Sequence, residues 1–181
     1  KSMTESDSSG LFQIDNSTNV KIINGEIDNF TINDDVTVVG GAAQIKVTNS
    51  TYVYITIRTG GDYTDNVNTI NNAFMSFRNS SHIYIEDCFF EDAGGNTQWI
   101  GAKRGITHFY YRKNEANISK AFTGGTGGLG WMHFQHDAAG GGVAASTPIV
   151  ISDNIWNLTN TDIAAGTIIC AGDCNDGGAP A

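Results

Sequence analysis

The side chains best suited to chemistry are aromatic and basic residues in the middle of the sequence. Aromatic rings on a flat sheet stack against sugar rings, and cationic side chains bind the carboxylates of acidic sugars. The aromatic set comprises Trp99, Tyr110, Tyr111 and Trp131, and the basic set comprises Lys103, Arg104 and Arg112. We therefore predict a polysaccharide-binding surface and expect about half of the aromatic set in the core instead. The predicted sugar-binding residues are Trp99, Tyr110, Arg112, Trp131 and His133.

Histidines in the segment WMHFQHD provide a second candidate site. His133 or His136, together with Asp137, could bind a metal ion or act as a base. Histidines with ordinary hydrogen bonds on a strand are the commoner alternative. Strand alternation places Met132, Phe134 and His136 on one face and Trp131, His133 and Gln135 on the other.

Carboxylates near the centre of the chain provide a weak candidate site for calcium. Asp87, Glu91 and Asp92 lie close together in sequence and carry the oxygen ligands that calcium prefers. Glu91 and Asp92 would form a larger cluster with Asp62 and Asp65 if stacked strands brought the two segments together. Solvated loop carboxylates are the commoner outcome, so no cofactor is required by this pattern.

The three cysteines fall into two groups. Cys88 lies between Asp87 and Phe89 on a predicted strand, where a free cysteine most often acts as a small buried hydrophobic residue. Cys170 and Cys174 form a C-x3-C pair that could close a small disulfide loop in an oxidising compartment. A metal site there would need further ligands, so we predict the disulfide.

A repeated strand–turn–strand unit is the element that must position these residues. The segments FQIDNSTNVKII, IKVTNSTYVYIT and MSFRNSSHIYIE superpose on Asn16, Asn49 and Asn79, and they begin 33 and then 30 residues apart. Weaker copies follow at residues 100–112, where Gly105 takes the asparagine position, and at 147–156. A unit of this size cannot bury its own apolar face, so the copies must stack on one another. The sequence therefore predicts an all-β fold, a parallel β-helix of about five to six coils.

The alignment of the repeats also predicts which side chains form the core. Period-2 alternation places two sets of aliphatic residues in inward-facing columns. One column is Val20, Val53 and Ile83, and the other is Ile22, Ile55 and Ile85. We expect a polar lead-in over residues 1–10, the β-helix over 11–163, and a glycine- and alanine-rich tail or terminal strand over 164–181.

Composition and charge exclude several classes of partner. The chain has 181 residues, of which 40% are hydrophobic, and its net charge is −9. That field disfavours binding to nucleic acid or to an anionic membrane surface. Since no apolar run approaches the roughly 20 residues of a membrane-spanning helix, no membrane span is predicted.

Six Asn-x-Ser/Thr triplets are consistent with a secreted protein. They begin at Asn16, Asn29, Asn49, Asn79, Asn117 and Asn157. Each could carry a glycan in a glycosylating pathway. Asparagine and serine also favour tight corners, because asparagine tolerates left-handed backbone geometry and both side chains bond to the backbone. Turn chemistry alone is therefore expected to explain at least half of the triplets.

Residues 38–161 contain motifs whose order resembles that of secreted pectate lyases. The segments that carry the resemblance are GGAAQIKVTNSTYVYITI, NSSHIYIEDCFF and WIGAKRGITHFYYRKNE. The resemblance implies a right-handed parallel β-helix and cleavage of an acidic polysaccharide by calcium-assisted β-elimination. It also implies that Lys103, with Arg104 beside it, would occupy the catalytic segment.

The chain departs from that family at several chemical positions. Where the family has aspartates, this sequence has Thr97 and Gly101, and the shifted pair Glu86 and Asp87 replaces another aspartate. No arginine follows the segment NIWNLTNTD, where the family keeps its base. We therefore expect an extracellular protein that binds polysaccharide or assembles into a fibre or spike, and the alternative is a lyase with a reorganised site.

Self-association is expected from the predicted ends of the coil stack. The first coil is preceded by polar residues without helical periodicity, and the run from Thr167 to Cys170 is apolar and strand-like. Uncovered strand edges at the ends of a stack invite pairing with another copy. The sequence therefore predicts a homo-oligomer or filament.

Overall fold

The computed structural model describes residues 12–28, 31–32, 43–60, 64–65, 73–93, 98–102, 105–119, 130–134, 148–159 and 167–171. Within these residues every regular element is a β-strand, so the all-β prediction is confirmed. The first eight strands are β1 (Phe12–Asp15), β2 (Thr18–Asp28), β3 (Thr31–Ile32), β4 (Ala43–Thr48), β5 (Thr51–Gly60), β6 (Thr64–Asp65), β7 (Ala73–Arg78) and β8 (Ser81–Glu86). The remaining strands are β9 (Phe89–Ala93), β10 (Gln98–Ala102), β11 (Thr107–Arg112), β12 (Glu115–Ile118), β13 (Gly130–Phe134), β14 (Ile149–Ser152), β15 (Ile155–Leu158) and β16 (Thr167–Ala171).

The strands form three parallel sheets. One sheet has the order β1-β4-β7-β10-β13-β16, so each of its strands pairs with strands three elements away in the chain. The second has the order β14-β11-β8-β5-β9-β12-β15, with β2 also paired to β5, and β3 pairs with β6 in the third. Parallel neighbours need crossover connections, which explains why consecutive strands do not pair with each other.

The predicted asparagine corner separates the two larger sheets. Asn16, Asn49 and Asn79 have φ values of 48°, 50° and 47°, and Gly105 occupies the equivalent position with φ 66°. These left-handed values suit asparagine and glycine. A Cβ atom on Gly105 would lie 2.7 Å from Asn79 Oδ1, so glycine also relieves a close approach. The predicted equivalence of Gly105 with the asparagines is confirmed.

A second corner is built around the buried side chain of Asn114. Asn114 Oδ1 accepts a hydrogen bond of 2.9 Å from the Cys88 backbone N–H, and Asn114 Nδ2 donates one of 3.0 Å to the Ile85 carbonyl. Asn154 repeats the pattern, because its Nδ2 donates to the Tyr111 carbonyl at 3.0 Å. Asn114 and Asn154 therefore bridge neighbouring corners, and Cys88 takes the equivalent position in the repeat of β8 and β9.

The predicted aliphatic columns form the core. Val53 pairs with Val20 and Ile83, while Ile55 pairs with Ile22 and Ile85, in continuous register. The column members on β5 and β8 are fully buried, whereas Val20 and Ile22 are partly buried on the edge strand β2. Burial of each such side chain contributes about 1.5–3 kcal/mol.

The expected terminal segments are only partly represented. The lead-in over residues 1–10 and the final residues 172–181 lie outside the described residues. The apolar run from Thr167 does form a strand, β16, which pairs with β13 of its own chain while Ile169 stays 41% exposed. None of the described residues forms a helix long and apolar enough to cross a membrane.

Candidate functional site

Two of the predicted sugar-binding residues, Trp99 and Trp131, lie in the core. Trp99 is 1% exposed and Trp131 is fully buried. The Trp99 ring stacks on Phe74 at 4.9 Å and on Trp131 at 5.3 Å, and Trp131 Nε1 donates a hydrogen bond of 3.0 Å to Tyr111 Oη. Because these rings cover one another, the structure corrects the prediction that Trp99 and Trp131 stack on sugars. With Tyr111, three of the four residues of the aromatic set are core, which is more than the expected half.

His133 is also buried, with 1% exposure on β13. Alternation places Met132 and Phe134 on one face and Trp131 and His133 on the other, and all four side chains are buried. Both faces of this strand are covered, so the period-2 pattern does not separate core from surface there. The prediction that His133 contacts a ligand at the surface is therefore corrected.

Several predicted site residues lie where their side chains are not described. They are Lys103, Arg104, His136, Asp137, Cys174, Asn29 and Asp62, together with the side chains of Asp65, Asp92 and Cys170. The catalytic hypothesis for the lysine and arginine and the disulfide between the two C-terminal cysteines remain predictions. Cys88 is 2% exposed, as predicted for a small buried residue.

The predicted calcium ligands that are described stand at the surface. Asp87 and Glu91 are both exposed, and Asp87 occupies a corner with φ 52°. Across the described part of the chain, no three aspartate, glutamate, histidine or cysteine side chains group as metal ligands would. The calcium site stays a prediction.

The asparagines of the glycosylation triplets form ladders between neighbouring strands. Asn79 Nδ2 donates to Asn49 Oδ1 at 3.4 Å, and Asn49 Nδ2 donates to Asp15 Oδ1 at 3.3 Å. Between strands β12 and β15, Asn157 Nδ2 donates to Asn117 Oδ1 at 2.9 Å. These contacts and the left-handed φ of Asn16, Asn49 and Asn79 are those expected from turn chemistry. Glycosylation at the triplets remains a prediction.

The second sheet presents an aromatic surface on β5, β8 and β11. Buried aliphatic and aromatic residues of these strands alternate with half-buried or exposed rings that point away from the core. We call these six rings the aromatic face. They are Tyr52, Tyr54, His82, Tyr84, His108 and Tyr110.

One column of the aromatic face consists of Tyr54, Tyr84 and Tyr110, here called the tyrosine ladder. These residues are direct register partners on three neighbouring strands. The Tyr84 and Tyr110 rings lie 4.8 Å apart with an interplanar angle of 4°. Their ring faces are therefore turned toward each other, and their edges and hydroxyl groups point outward, since strand side chains stand roughly perpendicular to a sheet.

Two hydroxyls of the ladder, those of Tyr54 and Tyr84, keep their protons at neutral pH. Burial raises the pKa of Tyr54 and of Tyr84, and the negative charge of Glu86 raises both further. A protonated phenol both donates and accepts hydrogen bonds. The ladder thus provides hydroxyl groups repeated at the strand spacing of about 4.8 Å.

The other column, here called the corner stack, consists of Tyr52, His82 and His108. His82 lies 4.3 Å from His108 with nearly parallel rings, and Tyr52 lies 4.5 Å from His82. All three backbones are left-handed, with φ values of 55°, 54° and 53°. Such values are uncommon for a bulky residue such as tyrosine, and backbone strain of this kind concentrates at functional positions.

The imidazoles of the corner stack have polar atoms without described partners. His82 Nδ1 and His108 Nδ1 are buried, and no hydrogen bond to either atom occurs within the described residues. Burial and the neighbouring His108 lower the pKa of His82. Two stacked rings cannot both direct a nitrogen lone pair at one ion, because the lone pair lies in the ring plane. The pair is therefore poorly arranged for chelating a metal.

An ion pair borders the tyrosine ladder. Arg112 Nε donates to Glu86 Oε1 at 2.8 Å, a terminal guanidinium nitrogen contacts the same oxygen, and the guanidinium lies 5.4 Å from the centre of the Tyr110 ring. The hydrogen bond that Arg112 donates to Glu86 raises the pKa of Arg112, so the guanidinium stays charged. Of the predicted sugar-binding residues, Tyr110 and Arg112 are therefore the two that the structure brings together at the surface.

Sequence reasoning missed five of the six members of the aromatic face, all except Tyr110, although the repeats contain the signal. Counting from the corner residues Asn49, Asn79 and Gly105, the third and fifth positions are aromatic in every copy. They are Tyr52 and Tyr54, His82 and Tyr84, and His108 and Tyr110. Aligning outward as well as inward positions would have identified the whole face.

Comparisons with known proteins do not assign this chain to a family. No family model, no curated protein sequence and no solved protein structure matches it. The functional argument therefore depends on the geometry of the aromatic face and its ion pair.

Proposed function

We propose that the chain is an extracellular right-handed parallel β-helix protein that binds polysaccharide through the aromatic face. The parallel pairing of every third strand in the first sheet and the repeated left-handed corners support a coiled chain path. The right-handed sense follows the strong preference of crossovers between parallel strands. The pectate-lyase resemblance of residues 38–161 adds to the same proposal.

The observation that carries the binding proposal is the aromatic face itself. Six rings occupy adjacent register positions on three paired strands, outside a core whose inward positions are fully occupied. Tyrosine offers apolar ring edges and a hydroxyl group on a stiff side chain, so little conformational entropy is lost on binding. A polysaccharide presents repeated hydroxyl and C–H groups, which match this repeated chemistry.

The geometry of the rings indicates how a sugar chain would be held. The faces of Tyr84 and Tyr110 cover each other, which leaves ring edges and hydroxyls for the ligand. The proposed contacts are therefore hydrogen bonds to tyrosine hydroxyls together with packing on ring edges. This mode differs from the face-on stacking that the sequence predicted.

Removing the tyrosine ladder tests the proposal. The wild-type chain and the variants Tyr84→Ala and Tyr110→Ala would be compared by affinity electrophoresis in soluble neutral glucans, xylans and mannans. We expect each substitution to weaken binding about tenfold, the typical loss for a central aromatic contact. Phe89→Ala is the matched control, because Phe89 lies on β9 with the Arg58 guanidinium 4.7 Å from its ring centre. Equal losses in all three variants, or no binding by the wild type, would contradict the proposal.

A second candidate function, self-assembly, is favoured by the sheet edges. Among the described residues, the exposed large hydrophobic side chains other than Tyr52 all lie on edge strands. They are Phe12, Ile23, Ile149, Ile155, Leu158 and Ile169. Strand β1 and strand β16 form opposite edges of one parallel sheet, so one edge of a copy can pair with the opposite edge of another. Such a contact does not close on itself and would produce filaments.

Charged substitutions at opposite ends test this second candidate. Ile23→Lys on β2 and Ile155→Lys on β15 should each abolish higher oligomers, measured by sedimentation velocity. An equimolar mixture should form heterodimers, because each variant keeps one intact end. A wild-type chain that stays monomeric at micromolar concentration would exclude self-assembly.

A further inference from the structure

The charges beside the tyrosine ladder bear on which class of polysaccharide it binds. We infer that the aromatic face selects neutral polysaccharides over uronates and that Glu86 is the residue that sets this selectivity. The inference rests on the proposed polysaccharide binding and assigns its ligand class. It differs from the expectation that Arg112 binds the carboxylate of an acidic sugar.

The first step concerns the guanidinium of Arg112. A carboxylate ligand is held best by the paired N–H groups along one edge of a guanidinium. In Arg112, Nε and a terminal nitrogen already contact Glu86 Oε1. The side chains of Arg112 and Glu86 are 39% and 17% exposed, so the pair lies at the rim of the face rather than in the core. A uronate would have to displace Glu86 to use this edge of the guanidinium.

The second step concerns the remaining charges around the ladder. The corner that follows β8, β11 and β14 carries Asp87, Lys113 and Asp153, all exposed, so carboxylates outnumber the ammonium there. At the opposite end of the ladder, Lys21 of β2 is exposed beside Tyr54 in the register. The two lysines thus balance the two aspartates around the ladder, while the whole chain carries a net charge of −9. The charges beside the face therefore give a polyanion no net attraction, and the negative charge of the whole chain disfavours it.

The third step concerns what a neutral sugar finds at the same place. Glu86 Oε2 receives no hydrogen bond within the described residues, and a carboxylate oxygen accepts strongly from a sugar hydroxyl. The protonated hydroxyls of Tyr54 and Tyr84 both donate and accept. A neutral chain can use all of these groups without breaking the ion pair.

Pairs of polymers that share a backbone and differ chiefly in charge provide the test. Polygalacturonate would be compared with its methyl ester, and carboxymethylcellulose with hydroxyethylcellulose, by affinity electrophoresis and titration calorimetry at low ionic strength. We expect the wild-type chain to bind the neutral member of a pair more tightly. Glu86→Gln should raise the affinity for the polyanions about tenfold, the factor supplied by one freed charge-assisted hydrogen bond. High salt should remove this gain.

Two further variants separate selectivity from general effects of charge. Glu91→Gln changes the net charge by the same amount at an exposed position on β9, and it should leave the preference for neutral polymers in place. Arg112→Gln removes the cation and should weaken polyanion binding further. Thermal unfolding of each variant would establish that it is folded.

The outcomes distinguish the inference from the proposed function. Wild-type binding that is equal for both members of each pair, or tighter for the polyanion, would overturn the selectivity while leaving polysaccharide binding intact. A Glu86→Gln variant without any gain on polyanions would overturn the role of Glu86. No binding to any of the four polymers or to the neutral glucans, xylans and mannans would refute the proposed function and the inference with it.

Discussion

Replacing Asn114 by alanine should strongly destabilise the fold, because this buried side chain joins neighbouring corners. Its Oδ1 accepts from the Cys88 N–H at 2.9 Å, and its Nδ2 donates to the Ile85 carbonyl at 3.0 Å and to Asn154 Oδ1 at 3.1 Å. In the variant, the two backbone groups keep their positions but lose their partners. A buried polar group left unsatisfied costs about 1–3 kcal/mol, so the expected loss in the free energy of unfolding is about 4 kcal/mol.

Urea denaturation followed by tryptophan fluorescence measures this loss, since Trp99 and Trp131 are buried. Asn157→Ala is the matched control: Asn157 also makes two side-chain hydrogen bonds, to Glu115 and Asn117, but it is exposed. Its loss should stay below about 0.5 kcal/mol, because water replaces the partners. A loss below about 1 kcal/mol for Asn114→Ala, or equal losses in both variants, would refute the role given to the buried corner.

Three further predictions concern titration and chemistry. Burial raises the pKa of Cys88 to about 12, so its thiol should resist alkylation at pH 8 in the native protein and react on unfolding. Peptide mass spectrometry measures the modification, and rapid alkylation of the native protein would contradict this prediction. Burial lowers the pKa of His82 below its ordinary value of 6.5, so the unfolded state binds the proton more readily and stability falls as the pH drops below that value. The variant His82→Asn should reduce this fall in the melting temperature, since asparagine tolerates the positive φ and does not titrate. An unchanged pH profile would contradict the assignment of the fall to His82. Incubation with polygalacturonate and calcium at alkaline pH should yield little unsaturated product absorbing in the near ultraviolet, because the arginine and aspartates of the pectate lyases are not matched. Turnover by the wild-type chain that Lys103→Ala abolishes would contradict this prediction.

The strand columns and corners could be predicted because they repeat in the sequence. Asn16, Asn49 and Asn79 mark the same left-handed backbone position, and the residues after them alternate between core and surface. Gly105 was recognisable as the fourth member because glycine adopts the same geometry. Local pattern and final structure agree here, since each copy meets the same environment as its neighbours.

The tryptophans and His133 could not be placed by the same logic. Alternation along β13 predicts one buried and one open face, but Trp131 and His133 are buried as well as Met132 and Phe134. Tertiary packing between distant segments decides which residues cover the second face of a strand. The contact of Phe90 on β9 with Trp131 is one example. A period of two carries no information about such contacts.

The ion pair between Glu86 and Arg112 could not be predicted from the sequence for a different reason. The two residues are 26 positions apart, and they meet because β8 and β11 pair in the register that sets Glu86 opposite Arg112. The sequence indicated both residues separately, with Arg112 as a ligand for acidic sugars. Only the register shows that the cation already has a carboxylate partner, which changes the expected ligand from acidic to neutral.

Titrating the tyrosine ring signals of the protein with neutral oligosaccharides tests polysaccharide binding by the aromatic face most directly. Two-dimensional NMR spectra would be recorded with cello-, xylo- and manno-oligosaccharides, and Tyr→Phe variants would assign the signals. We predict saturable shifts at Tyr84 and Tyr110 with at least one series, while buried Tyr111 stays unchanged. Spectra without saturable shifts in any series, or shifts at Phe89 that leave the tyrosine ladder unaffected, would contradict the proposal.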